Sequence, residues 1–282
     1  MELDKTIFYN KIKAVIITFY FIYVIIWVTT LQVNLPLNLE DHGIHEMGIH
    51  TMKKGVALLG GSNVRSGLSA EYISNKFLEC YNFGINRELG SFSKYTNFIG
   101  DRISSPDIVI YSSAYLWSDL PDNINYFDFI PSYSIITQIN EFIYRSDRIK
   151  SKRNSFGDVL VYQCYPIFEP FEINEQKFTF SNTNVVNEII RRVEKIKNLT
   201  QCDKVLIRIP PVYVKNDDKK FISQTIIKRI KMLKESGIIV IGGTICSTDK
   251  SLFCDNLHPN NKGRNFFSIE LKNEIKKILI ED

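Results

Sequence analysis

Gly55-Val56-Ala57-Leu58-Leu59-Gly60-Gly61-Ser62-Asn63 is the stretch on which the fold turns. Its opening residues, GVALL, carry no polar side chain and read as a strand buried on both faces. The glycines that follow let the backbone turn sharply as it leaves the strand. A serine at that point projects its hydroxyl over the sheet edge, near the start of the next helix. The amide N–H groups beside it are then able to stabilise an oxyanion. Two other readings stay open. A phosphate-cradling loop needs G-x-x-x-x-G-K-[ST], and here neither the second glycine nor the lysine falls in register. A purely structural turn is the other.

Outward from this stretch the pattern repeats. Glu79–Phe83, Asp107–Tyr111, Lys204–Ile209 and Ile238–Ile241 read as four further strands. Helices are predicted over Ser69–Leu78, over Phe92–Ile103, near Lys219–Glu235 and over about Gly263–Ile280. In the last, Phe266, Phe267, Ile269, Leu271, Ile275, Ile278 and Leu279 supply the apolar positions. Near-continuous apolar strands alternating with helices predict an α/β fold with a five-stranded parallel sheet covered on both faces. Sites in such folds form beyond the carboxyl ends of the strands. Asn140–Phe180 fits the alternation poorly and reads as an insertion or lid.

Composition sets the class. Of 282 residues, 44% are hydrophobic and 23% charged, which excludes a disordered, collagenous or coiled-coil chain. The net charge of +4 comes from 35 basic and 31 acidic residues spread along the sequence, with no basic block. Nucleic acid is therefore not an expected partner.

One segment departs from the average. Ala14–Leu39 contains no charged residue, and its first part reads AVIITFYFIYVIIWVTT. About 20 apolar residues cross the hydrocarbon core of a bilayer as a helix. The run exceeds a signal-peptide h-region of about 7–15 residues and no small-x-small cleavage site follows it, which favours an uncleaved anchor over a cleaved leader. Lys5, Lys11 and Lys13 precede the span and no basic residue follows until Lys53, so the N-terminus is expected in the cytoplasm and the rest outside. The expected organisation is a cytoplasmic segment 1–13, a transmembrane anchor 14–33, a connector 34–53 and a single globular domain 54–282.

No C-x-x-C pair occurs among Cys80, Cys164, Cys202, Cys246 and Cys254, which argues against a zinc ribbon or a thioredoxin-like site. An exported domain can form disulfides, and Cys246 with Cys254, bracketing one short loop, is the pair to expect. Plain buried thiols are the alternative.

The other end of the chain changes the weight of Ser62. Between the fifth strand and the last helix runs Cys254-Asp255-Asn256-Leu257-His258-Pro259-Asn260-Asn261. Three residues of separation let the Asp255 carboxylate reach the His258 imidazole, fix its tautomer and favour its protonated form, as the base of a nucleophile requires. Alone, D-x-x-H is more often a capping loop.

A serine at the end of the first strand and D-x-x-H-P before the final helix, in a five-strand α/β pattern, resemble the SGNH (GDSL-like) hydrolase superfamily. Tyr81-Asn82-Phe83-Gly84-Ile85-Asn86, after the second strand, looks like that superfamily's second block. The resemblance spans about Gly55 to Ile280. It implies a flavodoxin-like three-layer fold, with Ser62 as nucleophile, His258 as its base and Asp255 holding the ring. The oxyanion would be met by the Ser62 and Gly84 amides. Two positions depart from the pattern. Gly61 stands where the family has aspartate. After the third strand Ser112-Ser113-Ala114-Tyr115-Leu116-Trp117 puts Leu116 where an asparagine is usual, so that Ser113 or Asn63 is left to replace that donor. Loss of one such donor typically costs about 10²–10³ in rate.

The G-G-S-N turn and the anchor look like those of membrane-anchored SGNH proteins from surface-polysaccharide gene clusters. The function this implies is a serine esterase or O-acyltransferase acting on an acylated, especially acetylated, extracytoplasmic glycan, without cofactor or metal. The alternative is an SGNH-fold glycan-binding or polysaccharide-assembly factor with little or no turnover.

Other features have plainer readings. His42, His45 and His50, with Asp41 and Glu46, miss the H-E-x-x-H spacing by one residue and read as a polar connector. The aromatics of Tyr111–Tyr133, including Tyr115, Trp117, Tyr126, Phe127 and Phe129, suit either sugar stacking or, more readily, core beneath a long loop. Lys215–Lys234 reads as the solvated face of a helix.

Overall fold

The computed structural model describes residues 11–23, 52, 54–84, 92, 99–100, 102–113, 116–117, 153–158, 182–214, 216–255 and 257–281. Residues 11–23 form a helix, α1, whose apolar side chains are exposed. The expected span 14–33 is thus described only as far as Tyr23. Among the described residues no helix is long and apolar enough to cross a membrane.

Among the described residues seven strands follow in chain order: β1 (Val56–Gly60), β2 (Cys80–Asn82), β3 (Ile108–Ser112), β4 (Val205–Arg208), β5 (Val212–Tyr213), β6 (Ile239–Ile241) and β7 (Cys246–Ser247). Five of them build one parallel sheet in the order β2-β1-β3-β4-β6. These are the five strands expected from the apolar runs: β2 and β4 are shorter at both ends, β6 at its start, and β1 and β3 begin and end one residue later. The remaining two, β5 and β7, pair in a small parallel ladder that the sequence reading lacks. From β1 the chain steps outward to β2 and then crosses to β3 on the other side. The point of reversal lies between β1 and β3, where doubly wound sheets place their ligands.

Five helices complete the described chain: α2 (Ser62–Arg65), α3 (Ala70–Ile73), α4 (Asn182–Thr200), α5 (Asn216–Glu235) and α6 (Asn261–Glu281). Alternate residues of the strands face opposite layers. Val56, Leu58, Ile108, Ile110 and Leu206 pack against Ile73 of α3 and against Phe267, Leu271 and Ile275 of α6. Ala57, Leu59, Val109, Tyr111, Val205 and Ile207 pack against Val186, Ile189, Val193 and Ile196 of α4 and Leu233 of α5. Burying each such aliphatic side chain contributes about 1.5–3 kcal/mol, and here both faces of the sheet collect it. The result is the expected three-layer arrangement.

Some expectations change. The helix over Ser69–Leu78 shrinks to Ala70–Ile73. Ser69 caps its start, and a turn at Asn75, whose Oδ1 accepts from the Phe77 amide, ends the run. The helix over Phe92–Ile103 falls mostly outside the described residues, and Ile103 is in a bridge with Met52 instead. The long helix α4 follows directly on the region read as an insertion. The Cys246–Cys254 disulfide does not form. Cys246 is a buried free thiol, as are Cys80 and Cys202, whereas Cys254 is disulfide-bonded.

Candidate active site

Gly60 makes the turn out of β1 possible. Its φ is +149°, and a Cβ there would lie 2.0 Å from the Ser112 carbonyl oxygen. Only glycine lets β1 end so close to β3. The chain then enters α2, whose first residue is Ser62. The main-chain N–H groups of Ser62 and Asn63, in the first turn of a helix, have no intrahelical acceptor.

At the far end of the chain a 3₁₀ turn (Lys250–Leu252) and the bridge Phe253↔Pro259 fold the Asp255–His258 loop back on itself. Asp255 uses its two oxygens differently. Oδ1 accepts from the amides of Leu257 (2.8 Å) and His258 (2.7 Å), which closes the turn, and Oδ2 lies 2.7 Å from His258 Nδ1. Burial pushes the Asp255 carboxyl up, but the hydrogen bond and charge of His258 and the two amides outweigh it, leaving it below its ordinary value of 3.8. An ionised carboxylate only accepts, so Nδ1 carries the hydrogen, and whenever the ring is uncharged Nε2 presents a lone pair. That atom stands 2.8 Å from Ser62 Oγ, across 196 residues of sequence. The serine hydroxyl therefore donates to Nε2. The side chains of His258 and Asp255 remain 28% and 32% exposed, open enough for a substrate to approach.

The structure therefore brings Ser62, His258 and Asp255 into one hydrogen-bonded row at the carboxyl edge of the sheet. The other residues singled out in the sequence sit differently. Gly84 is buried against α2, where a Cβ would meet the Arg65 amide nitrogen at 2.4 Å. Its N–H donates to Asn82 Oδ1 at 2.9 Å and so is engaged rather than directed at an oxyanion. Asn63 spends its side-chain nitrogen on the Ser112 carbonyl (3.2 Å) and hydroxyl (3.1 Å), which leaves that group unable to replace the missing asparagine. Ser113 is buried just past β3, and the Leu116 carbonyl accepts from the Arg229 guanidinium. Trp117 is core: its Nε1 donates to the Pro210 carbonyl at 2.8 Å. Tyr115, Tyr126, Phe127, Phe129 and Tyr133, together with Asp41, His42, His45, Glu46 and His50, lie outside the described residues. Among the described residues no group of three His, Cys, Asp or Glu side chains is arranged to hold a metal ion.

Residues 153–158, part of the stretch read as an insertion or lid, were not expected at the site; they pack against the start of α3 and the end of β2. Asp158, 2% exposed, accepts from the Ser69 hydroxyl (2.7 Å), from the Ala70 and Glu71 amides (2.8 and 2.9 Å) and from Asn82 Nδ2 (3.2 Å). It also pairs with Arg264 of α6 at 3.4 Å. The S-F-G-D spelling of Ser155–Asp158, a turn ending in an acid, was the one local signal for it.

The fold and the row of side chains together define a doubly wound α/β protein with a serine, a histidine and an aspartate aligned at its switch point. No protein-family model and no curated protein matches the chain. Solved structures similar to it include a member of the lipolytic protein G-D-S-L family from Veillonella parvula. That structure is 12% identical, with 79% of this chain and 99% of that chain covered and a TM-score of 0.42. A second, from Streptococcus pneumoniae and described in terms of platelet activating factor, is 14% identical, with 88% and 97% covered and a TM-score of 0.34.

Proposed function

We propose that the chain is a membrane-anchored serine esterase or O-acyltransferase acting outside the cytoplasm on an acylated, especially acetylated, polysaccharide. One observation carries the reading: Ser62 Oγ lies 2.8 Å from His258 Nε2 while His258 Nδ1 lies 2.7 Å from Asp255 Oδ2. Both distances fall in the range of about 2.6–3.2 Å that a nucleophile, its base and an orienting group require.

In this reaction Ser62 Oγ attacks the ester carbonyl as its proton passes to His258 Nε2. Asp255 stabilises the imidazolium. The negative oxygen of the tetrahedral intermediate meets the Ser62 and Asn63 main-chain amides. Collapse expels the alcohol, which takes the proton from His258, and leaves an acyl-serine. Water then completes hydrolysis; a sugar hydroxyl completes transfer. Either attacker gives its proton to the same imidazole. The glycan substrate rests on the resemblance of the sequence blocks and the G-G-S-N turn. The apolar run 14–33 with its lysine flank supports the anchor and its direction. The Cys254 disulfide supports an oxidising compartment for the domain.

The test is turnover of p-nitrophenyl acetate by the full chain in detergent, beside Ser62→Ala. Removing a triad nucleophile costs about 10⁶ in a well-measured protease. The wild type should also take up a fluorophosphonate at Ser62 stoichiometrically. A wild-type rate no greater than the alanine variant's overturns the reading.

A second reading has one observation in its favour. With the Gly84 amide and the Asn63 side-chain nitrogen both engaged, fewer donors are left for an oxyanion. That arrangement suits a glycan-binding or assembly factor that keeps the fold without turnover. Glycan affinity by calorimetry combined with inertness to fluorophosphonate would favour it.

A further inference from the structure

Ser62 stands on a helix too short to hold itself. α2 is four residues long, and an isolated turn of that length is unstable. Its terminal carbonyls need partners from elsewhere. Asn82, fully buried at the end of β2, meets one of them and the loop that follows: Nδ2 donates to the Val64 carbonyl and, beyond the helix, to the Leu68 carbonyl, both at 3.1 Å.

Asn82 is in turn held on every side. The two hydrogens of its Nδ2 are shared with a third acceptor, Asp158 Oδ1 at 3.2 Å, and its Oδ1 accepts from the Gly84 amide at 2.9 Å. Its main-chain N–H donates to the Phe156 carbonyl at 2.8 Å. Its own carbonyl accepts from Arg153 Nη1 at 3.1 Å. The same guanidinium reaches the Gly157 carbonyl through Nη1 and the Gly84 carbonyl through Nη2, both at 2.7 Å. One planar fork therefore grips the 82–84 turn at both ends, a geometry that the point charge of a lysine does not reproduce. The grip comes from 71 residues away in sequence.

We propose that Arg153 is a positioning residue of the reaction, acting through Asn82 and Gly84 on the helix that presents Ser62. The role rests on the esterase reading above. Without the guanidinium the 82–84 turn loses its outer support, Asn82 tilts, and α2 shifts relative to His258. A misplacement of about 1 Å at reacting atoms is enough to cost about 10²-fold in rate.

The test is the full chain carrying Arg153→Ala and Arg153→Lys, assayed with p-nitrophenyl acetate. Arg153→Ala should lower kcat by about 10²-fold and leave KM nearly unchanged, the pattern of lost transition-state alignment. Millimolar guanidinium chloride should restore part of that kcat and none to the wild type. Arg153→Lys, with the charge but not the fork, should remain slow at a wild-type melting temperature. If Arg153→Ala does not fold, Arg153→Lys decides alone. A variant kcat close to the wild type's overturns the proposal, and so does a loss in folded Arg153→Ala that guanidinium leaves untouched. Wild-type protein inert to both ester and fluorophosphonate would instead sink the esterase reading, and this role with it.

Discussion

One oxygen of Asp255 closes a turn while the other holds a ring, so the residue serves structure and chemistry at once. Asp255→Asn separates the two roles. An amide keeps an oxygen for the Leu257 and His258 N–H groups, but its NH₂ facing Nδ1 forces the hydrogen onto Nε2, and Ser62 loses its acceptor. A fall in kcat of about 10⁴ is expected, as for the same change in a protease triad. Stability carries a sign as well. The folded carboxyl sits below its ordinary 3.8, so the unfolded chain binds the proton more readily. Asp255 therefore adds stability that is present above that ordinary value and is lost as pH falls through the depressed folded one. Urea midpoints for wild type and Asp255→Asn should differ at pH 6 and converge towards pH 2. A gap that widens on acidification contradicts the assignment.

Among the elements, the β1–α2 turn has the least freedom. A methyl group at position 60 would sit 2.0 Å from the Ser112 oxygen at a φ that side chains avoid. Gly60→Ala should lower the unfolding free energy by at least about 2 kcal/mol, read from urea denaturation, and should lower turnover further by moving Ser62. Arg208, at the end of β4, is a different case. It is 2% exposed, and burial pulls its guanidinium down to about 10 against the opposing pull of Glu270. An isostere without charge avoids that desolvation, so Arg208→Met should leave the melting temperature unchanged or raise it. The same elements explain what could be read beforehand. Continuous apolar runs such as DIVIY disclose buried strands because no other element needs both faces covered. Helix α4 carries an equally clear period in Val185, Val186, Ile189, Val193 and Ile196, yet it is not among the expected helices. Ser62 was legible from the glycine turn that ends a buried strand, and Asp255 with His258 from a spacing that lets a carboxylate reach an imidazole. The engagement of Gly84 by Asn82, and the grip of Arg153, depend on contacts between distant segments that no local pattern encodes.

At the scale of the whole molecule, covalent and topological constraints meet at the same loop. Cys254 precedes Asp255 directly and is disulfide-bonded, while Cys80, Cys202 and Cys246 are buried thiols. Burial pushes the Cys80 thiol well above its ordinary 9.0, so it should resist alkylation until the chain unfolds. Of the five cysteines only Cys164 is then left to pair with Cys254. Non-reducing peptide mapping should recover a Cys164–Cys254 peptide, and recovery of Cys246 in a disulfide would refute the assignment. A last consequence follows from the bridge between Met52 and Ile103, which delivers the polypeptide to the amino edge of the sheet. The row of Ser62 and His258 lies on the opposite rim, beyond five residues of β1, or about 16 Å of strand. Under the anchoring proposed above, a chain tethered at its near rim would work at its far one. Esters dissolved among the lipids would then lie behind the catalyst, and those carried on polymers standing off the surface would lie within its grasp.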